Sequence, residues 1–263
     1  MESVKIDTED GFILDADYYP GTGSLGVIYT HGATSHRGRE RFFERAAREL
    51  SSKGVHCLFF DFRGHGKSGG DSAKDFKLSG VLKDLAAAVD FLKSKGMKTL
   101  GLAGASFGAS VSSIYASKNN GTVGALMLVN PVLNFHTAFF EPTTENSRML
   151  FSAVHKTLET EEYFEMPWNN FRLGRPAFEE LRMKLPEHDP ILSLDSYKGP
   201  LLIVHGNKDR TIDHNETLDY FNRIKSNNKR FITINGADHS FLGEPGQTEV
   251  TDIAIKFFSD NLS

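Results

Sequence analysis

The sequence predicts an α/β protein: a mostly parallel sheet wrapped by helices. Three observations carry this. Apolar runs of strand length alternate with longer helical patterns along most of the chain, which is the rhythm of strand–helix–strand units. Several of the runs are apolar throughout rather than alternating, as parallel strands covered on both faces require. Between them, Leu78, Val81, Leu82, Leu85, Val89 and Leu92 follow the spacing of a single buried helical face.

Taken in order, the strand-like runs are Ile13–Tyr18, Gly26–Thr30, Val55–Phe60, Thr99–Ala103, Ala125–Asn130, Leu201–His205 and Arg230–Ile234. Besides the segment around Leu78–Leu92, helices are expected over Arg39–Lys53, Ser106–Lys118, Asn215–Ser226 and Thr248–Asn261. From about Val132 to Tyr197 the rhythm breaks, and no strand stands out. This stretch carries Phe135, Phe139, Phe140, Phe151, Tyr163, Phe164, Trp168, Phe171 and Phe178. A structureless loop of that length does not suit a compact domain. The segment 132–197 is therefore expected to be a small, mainly helical insertion, with 1–131 and 198–263 forming the main domain. Its aromatics form the insertion's own core or line a pocket, and an insertion lying over a site does both.

The 263 residues suffice for one large α/β domain or two small ones. The formal charge of −4 is scattered in sign, without the basic stripe a nucleic acid would need. The single cysteine, Cys57, sits in an apolar run and can form neither an intrachain disulfide nor a cysteine-based zinc site. Its surroundings predict an inert packing residue. The N-terminal residues lack the apolar core of a signal peptide. The longest uncharged stretch, Thr99–Ser117, reads as strand, turn and helix rather than as a membrane span. The expectation is a cytoplasmic protein without membrane or nucleic-acid partners.

The chemistry centres on Gly104-Ala105-Ser106-Phe107-Gly108, a G-x-S-x-G pattern. It follows an apolar strand and opens a helical pattern. A sharp strand-to-helix turn there forces the serine into strained backbone angles and demands small neighbours. A serine hydroxyl needs a base. Of ten histidines, His239 is favoured, on a glycine-containing loop between the last strand and the last helix. A carboxylate must fix its tautomer. Asp209 follows the strand Leu201–His205; Asp213 is the alternative, although it reads as a helix N-cap. Asp238 is disfavoured, because adjacent side chains point apart. The oxyanion of an acyl-transfer intermediate needs two N–H donors. Phe107 N–H, after the nucleophile, and Ala33 N–H, in the loop after Gly26–Thr30, are the candidates. The His31 side chain is expected to be structural.

Five stretches together carry a family resemblance: His31-Gly32-Ala33-Thr34-Ser35-His36-Arg37, Phe60–Gly69, the serine turn, His205-Gly206-Asn207-Lys208-Asp209, and Gly236-Ala237-Asp238-His239. They resemble the α/β-hydrolase superfamily, and within it the small bacterial carboxylesterases of the cinnamoyl and feruloyl esterase type. The resemblance spans roughly Val4–Pro131 and Lys198–Leu262. It implies the α/β-hydrolase fold: a mostly parallel eight-stranded sheet flanked by helices, with a helical cap insertion after the sixth strand. It also implies no cofactor and the chain order Ser106, Asp209, His239. Those esterases usually carry Gly-His-Ser-Gln-Gly-Gly at the turn; here Ala105, Phe107 and Ala109 replace the His, the Gln and the last Gly.

Two other patterns are set aside. Gly64-His65-Gly66-Lys67-Ser68-Gly69 reads as G-x-G-x-x-G, but a loop continues where a dinucleotide site needs a helix. A phosphate-binding loop ending at Gly66-Lys67-Ser68 would need glycine where Asp61 stands. No metal-binding histidine spacing is present. The function expected is hydrolysis of a small-molecule carboxylic ester through an acyl-enzyme, with acyl-thioester hydrolysis as the nearest rival. A non-catalytic binding protein on the same fold is the rival from another class.

Overall fold

The computed structural model describes residues 1–241 and 243–262. Eight strands form one sheet: β1 (Glu2–Asp7), β2 (Ile13–Tyr19), β3 (Leu25–Thr30), β4 (His56–Phe60), β5 (Thr99–Ala105), β6 (Val123–Val129), β9 (Leu201–Gly206) and β10 (Lys229–Ile234). Their spatial order is β1-β2-β4-β3-β5-β6-β9-β10. The β1–β2 and β2–β4 pairs are antiparallel. From β4 to β10 every neighbour is parallel. The loops leaving β3, β5, β6, β9 and β10 therefore gather at one sheet edge, the C-terminal strand ends where open α/β sheets bind ligands.

The period of two along each strand divides the core. In β3, Val27 and Tyr29 face one side and Ile28 the other; in β9, Leu202 and Val204 oppose Leu201 and Ile203. Both sides are apolar because both are covered. On one side lie α1 (Arg41–Ser52) and α9 (Gly246–Asn261). Helix α1 turns Phe42, Phe43, Ala46, Ala47 and Leu50 inward. On the other side lie α3 (Leu78–Ser94), with the expected face of Leu78, Val81, Leu85, Val89 and Leu92, and α4 (Phe107–Lys118). Burying each such side chain contributes about 1.5–3 kcal/mol. Cys57 is fully buried, and its surroundings push the thiol up to about 12.

The first strand has no apolar signature. In Glu2–Asp7 Ile6 alone is buried, so periodicity could not reveal it. It is held instead by pairing with β2 and by Lys5 reaching Asp15 at 2.6 Å. A short, charged edge strand is what protects a sheet edge from pairing with another chain.

Between β6 and β9 lie a π-turn at His136–Phe140, α5 (Glu145–Thr157), α6 (Arg175–Arg182) and α7 (Pro190–Ser196). This stretch is mainly helical, as expected, but it also holds a small antiparallel ribbon, β7 (Tyr163–Glu165) with β8 (Arg172–Gly174). Three-residue strands are too short to produce a readable alternation. The stretch packs on the main sheet's helices, α6 and β8 against α2 (Ser72–Asp75) and α7 against α4. Its Phe139, Phe151 and Phe178 join the same apolar cluster as α3 and α4. The Gly64–Gly69 stretch is a turn closed on itself: Gly64 N–H donates to the Gly69 carbonyl, and Asp61 accepts from Lys67 N–H. No helix among the described residues is long and apolar enough to cross a membrane.

Candidate active site

Strand β5 ends at Ala105 and α4 begins at Phe107, which leaves Ser106 alone on the turn at φ 52°, ψ −118°. A non-glycine residue there carries strain of about 1–3 kcal/mol. The turn is held by its own backbone: Ser106 N–H donates to the Val129 carbonyl at 2.9 Å, and the Ser106 carbonyl accepts from Val132 N–H at 3.2 Å. The two motif glycines are explained by close approach. A Cβ on Gly104 would lie 2.5 Å from the Gly108 carbonyl oxygen, and one on Gly108 would lie 2.5 Å from that of His31. The helix starts one residue after the position the sequence suggested, because Ser106 spends its backbone angles on the turn.

The loop after β10 delivers His239, whose Nε2 lies 3.1 Å from Ser106 Oγ. Its Nδ1–H donates to Asp209 Oδ2 at 2.7 Å. Asp209 lies on the loop after β9 and is buried. The same Oδ2 accepts from His205 Nε2 at 3.1 Å, while Oδ1 accepts from Thr211 N–H at 2.7 Å and Ile212 N–H at 2.9 Å. Burial opposes its negative charge, yet His239 and His205 outweigh burial and hold the carboxyl well below its usual range. For His239, burial opposes the charged ring, but Asp209, Glu40 and Asp238 raise its pKa above the ordinary 6.5. Nδ1–H faces a carboxylate that can only accept, which leaves the Nε2 lone pair toward Ser106 Oγ.

The competing carboxylates lie elsewhere. Asp213 caps α8 (His214–Arg223), accepting from Glu216 N–H at 2.8 Å. Asp238 is exposed and accepts from Ser240 N–H at 3.1 Å.

Phe107 and Ala33 both line the cavity that holds Ser106. Among the described residues, neither N–H has an acceptor within the protein. Gly32 brings the β3 loop against Ser106: a Cβ at Gly32 would lie 3.3 Å from Ser106 Cβ. Two buried histidines brace this loop. His31 Nδ1–H donates to the Gly32 carbonyl at 2.8 Å, and its Nε2 accepts from Phe62 N–H at 3.0 Å. His65 Nε2–H donates to the Ala33 carbonyl at 2.7 Å. The His31 side chain is thus turned away from the serine.

A cavity of about 290 Å³ opens over Ser106 and His239. One wall is apolar, built by Phe107, Phe139, Leu150, Phe151, Phe178 and Leu181. The lining also includes the polar or charged Ser35, Arg39, Glu40 and Ser240. Trp168 lies at the lining with about half its surface exposed.

Three residues of this site escaped the sequence reading. Asn130 is buried with φ 43°, at the end of β6. Its Nδ2 donates to the carbonyls of His239 and Asp238, and its Oδ1 accepts from Gly206 N–H at 2.9 Å. The Asn130-Pro131 pair was a turn signal that could have marked it. His205 was visible in its motif, but its bond to Asp209 depends on loop geometry. Glu40 carried no signal beyond its charge.

The chain matches the family described as serine aminopeptidase, S33, over residues 25–175 and 191–246. It is 24% identical to a monoacylglycerol lipase of Mycolicibacterium smegmatis over 268 aligned residues, covering 92% of this chain and 91% of that protein. Its fold superposes on Est1E of Butyrivibrio proteoclasticus, solved with ferulic acid bound, with TM-score 0.77 and 22% identity, over 98% of this chain and 99% of that one. It also superposes on the esterase Pf2001 of Pyrococcus furiosus with TM-score 0.72 and 22% identity, over 100% and 93% of the two chains. The fold, the match over most of the chain and the strand-end position of Ser106 agree: the chain belongs to the serine aminopeptidase S33 family of α/β-hydrolases.

Proposed function

We propose that the protein hydrolyses small carboxylic esters through an acyl-enzyme, with Ser106 as nucleophile, His239 as base and Asp209 as its orienting carboxylate. The observation that carries this is the continuous relay from Ser106 Oγ through His239 to Asp209, at 3.1 and 2.7 Å, behind a serine on a strained turn. Ser106 Oγ attacks the acyl carbon as its proton passes to His239 Nε2. The carbonyl oxygen becomes an oxyanion and accepts hydrogen bonds from Ala33 and Phe107 N–H. The tetrahedral intermediate collapses, the alkoxide leaves with the proton from Nε2, and Ser106 remains acylated. Water then attacks by the same route and releases the acid. No cofactor enters the scheme.

The apolar lining suits an acyl group, and the polar lining residues suit the alcohol. The segment 132–197 then acts as a cap, since Phe139, Leu150, Phe151, Phe178 and Leu181 all come from it. At about 290 Å³ the cavity lies at the small end of the roughly 300–1,000 Å³ usual for ligand pockets, which favours a short chain or a single ring. Both a monoacylglycerol and a ferulic acid ester are carboxylic esters, in keeping with the names of the two relatives.

The test is labelling by a fluorophosphonate probe, read by mass at Ser106, followed by rates on p-nitrophenyl esters and acyl-thioesters of matched chain length. Stoichiometric labelling and faster ester turnover are expected. An unlabelled, folded chain favours a non-catalytic binder, and faster thioester turnover favours a thioesterase.

A further inference from the structure

The catalytic scheme leaves one carboxylate in the cavity lining without a task. Glu40 is the residue before α1, the N-cap position, where a short side chain normally accepts a bond from the first turn of the helix. It makes no such bond. Instead its half-buried side chain lines the same cavity as Ser106 and His239. Ser35 and Gly32 line that cavity with it, Gly32 being the residue that brings the β3 loop against Ser106.

We propose that Glu40 is a second positioning carboxylate of this centre, stabilising protonated His239 from the cavity side while Asp209 does so from behind. The inference rests on the function proposed above. In the acylation step the proton leaves Ser106 Oγ and resides on His239 Nε2 before passing to the departing alkoxide. A negative charge near the ring favours that intermediate state. Burial raises the Glu40 pKa above the ordinary 4.5 while Ser35 and His239 oppose that rise, and Glu40 in turn raises the pKa of the resting His239 ring. The other groups facing His239 are Asp209 and His205 from the loop after β9, Asp238 beside it in the chain, and Ser106 from the turn after β5. Arg39, exposed at the same cavity lining, favours the charged form of Glu40.

The experiment follows the rate of fluorophosphonate labelling at Ser106, and kcat/KM on a p-nitrophenyl ester, across the pH range of the acid limb. Three variants are compared with wild type: Glu40→Gln, Glu40→Ser and Glu40→Asp. Serine removes the charge while improving the helix cap, so it guards against a folding failure. Removing one charge near the ring is expected to move the acid limb down by about half to one pH unit and to lower the plateau rate about 3- to 10-fold. Glu40→Asp, which keeps the charge, is expected to restore most of the shift. A limb that stays put in Glu40→Gln and Glu40→Ser overturns the proposal even if the plateau falls, because loosening the loop lowers rate without moving a titration. A wild-type chain that does not label overturns the catalytic reading and this inference with it. A labelled chain with an immobile limb overturns this inference alone.

Discussion

The side-chain amide of Asn130 donates to the backbone carbonyl of His239 at 2.7 Å, so the end of β6 holds the loop that carries His239. The same side chain accepts from Gly206 N–H at the end of β9, where the Asp209 loop begins. One buried residue thus ties together the two loops whose spacing sets the His239–Asp209 contact. Asn130→Ala leaves a buried N–H without its acceptor, a loss of about 1–3 kcal/mol. It also places alanine at a positive φ. The expected outcome is a lower melting temperature and a kcat reduced about 10- to 100-fold by misplacement of the base, with KM little changed. Steady-state kinetics and thermal melts on the same preparation check both.

Ser106 combines its proposed role as nucleophile with backbone strain, and the two separate on substitution. Ser106→Ala is expected to lower kcat by about 10⁴- to 10⁶-fold with the fold intact, and to abolish probe labelling. Ser106→Gly is expected to be equally inactive but to melt higher than Ser106→Ala, because glycine accepts φ 52° without the steric penalty. Circular dichroism melts of the two variants side by side provide the measurement.

The pH dependence follows from His239 and Asp209 with opposite signs. His239 must be neutral to accept the serine proton, and its pKa is raised above 6.5, so kcat/KM is expected to fall on the acid side with a limb above that value. Asp209 has a lowered pKa. Its contribution to stability is therefore present above the ordinary 3.8 and is lost as pH falls toward the lower folded value. Asp209→Asn is expected to lower kcat by about 10⁴-fold through loss of the correct tautomer. It should also narrow the stability difference between neutral and strongly acidic solution relative to wild type. Rate profiles and melts across pH test the two halves.

The apolar wall predicts selectivity by chain length. Leu150 is half-buried and lines the cavity. Leu150→Trp fills part of about 290 Å³, so turnover of octanoyl esters is expected to fall at least about tenfold relative to acetyl esters, since pocket volume bounds the ligand. A ratio unchanged from wild type would place the acyl group elsewhere.

Much of the fold was legible because both cores have strong local signatures. Val27–Tyr29, Leu102–Ala103 and Leu201–Val204 are apolar on both faces, and α3 shows one continuous buried stripe. The turn at Ser106 was legible for a related reason, since close backbone packing at Gly104 and Gly108 restricts residue type at fixed spacing. What local patterns could not reveal was β1, with one buried residue, and the β7–β8 ribbon, with three-residue strands.

The sequence by itself determined the class of the fold and marked the turn at Ser106, with His239 and either Asp209 or Asp213 as its candidate partners, because each leaves a mark on neighbouring positions. Tertiary structure alone decided which aspartate faces His239, which residue ties the two loops together, and which carboxylate overlooks the ring. Asp209 and His239 are 30 residues apart, and Asn130 lies 109 residues from His239. Such contacts are made by loop ends converging at one sheet edge, and no local periodicity encodes a distance across strands.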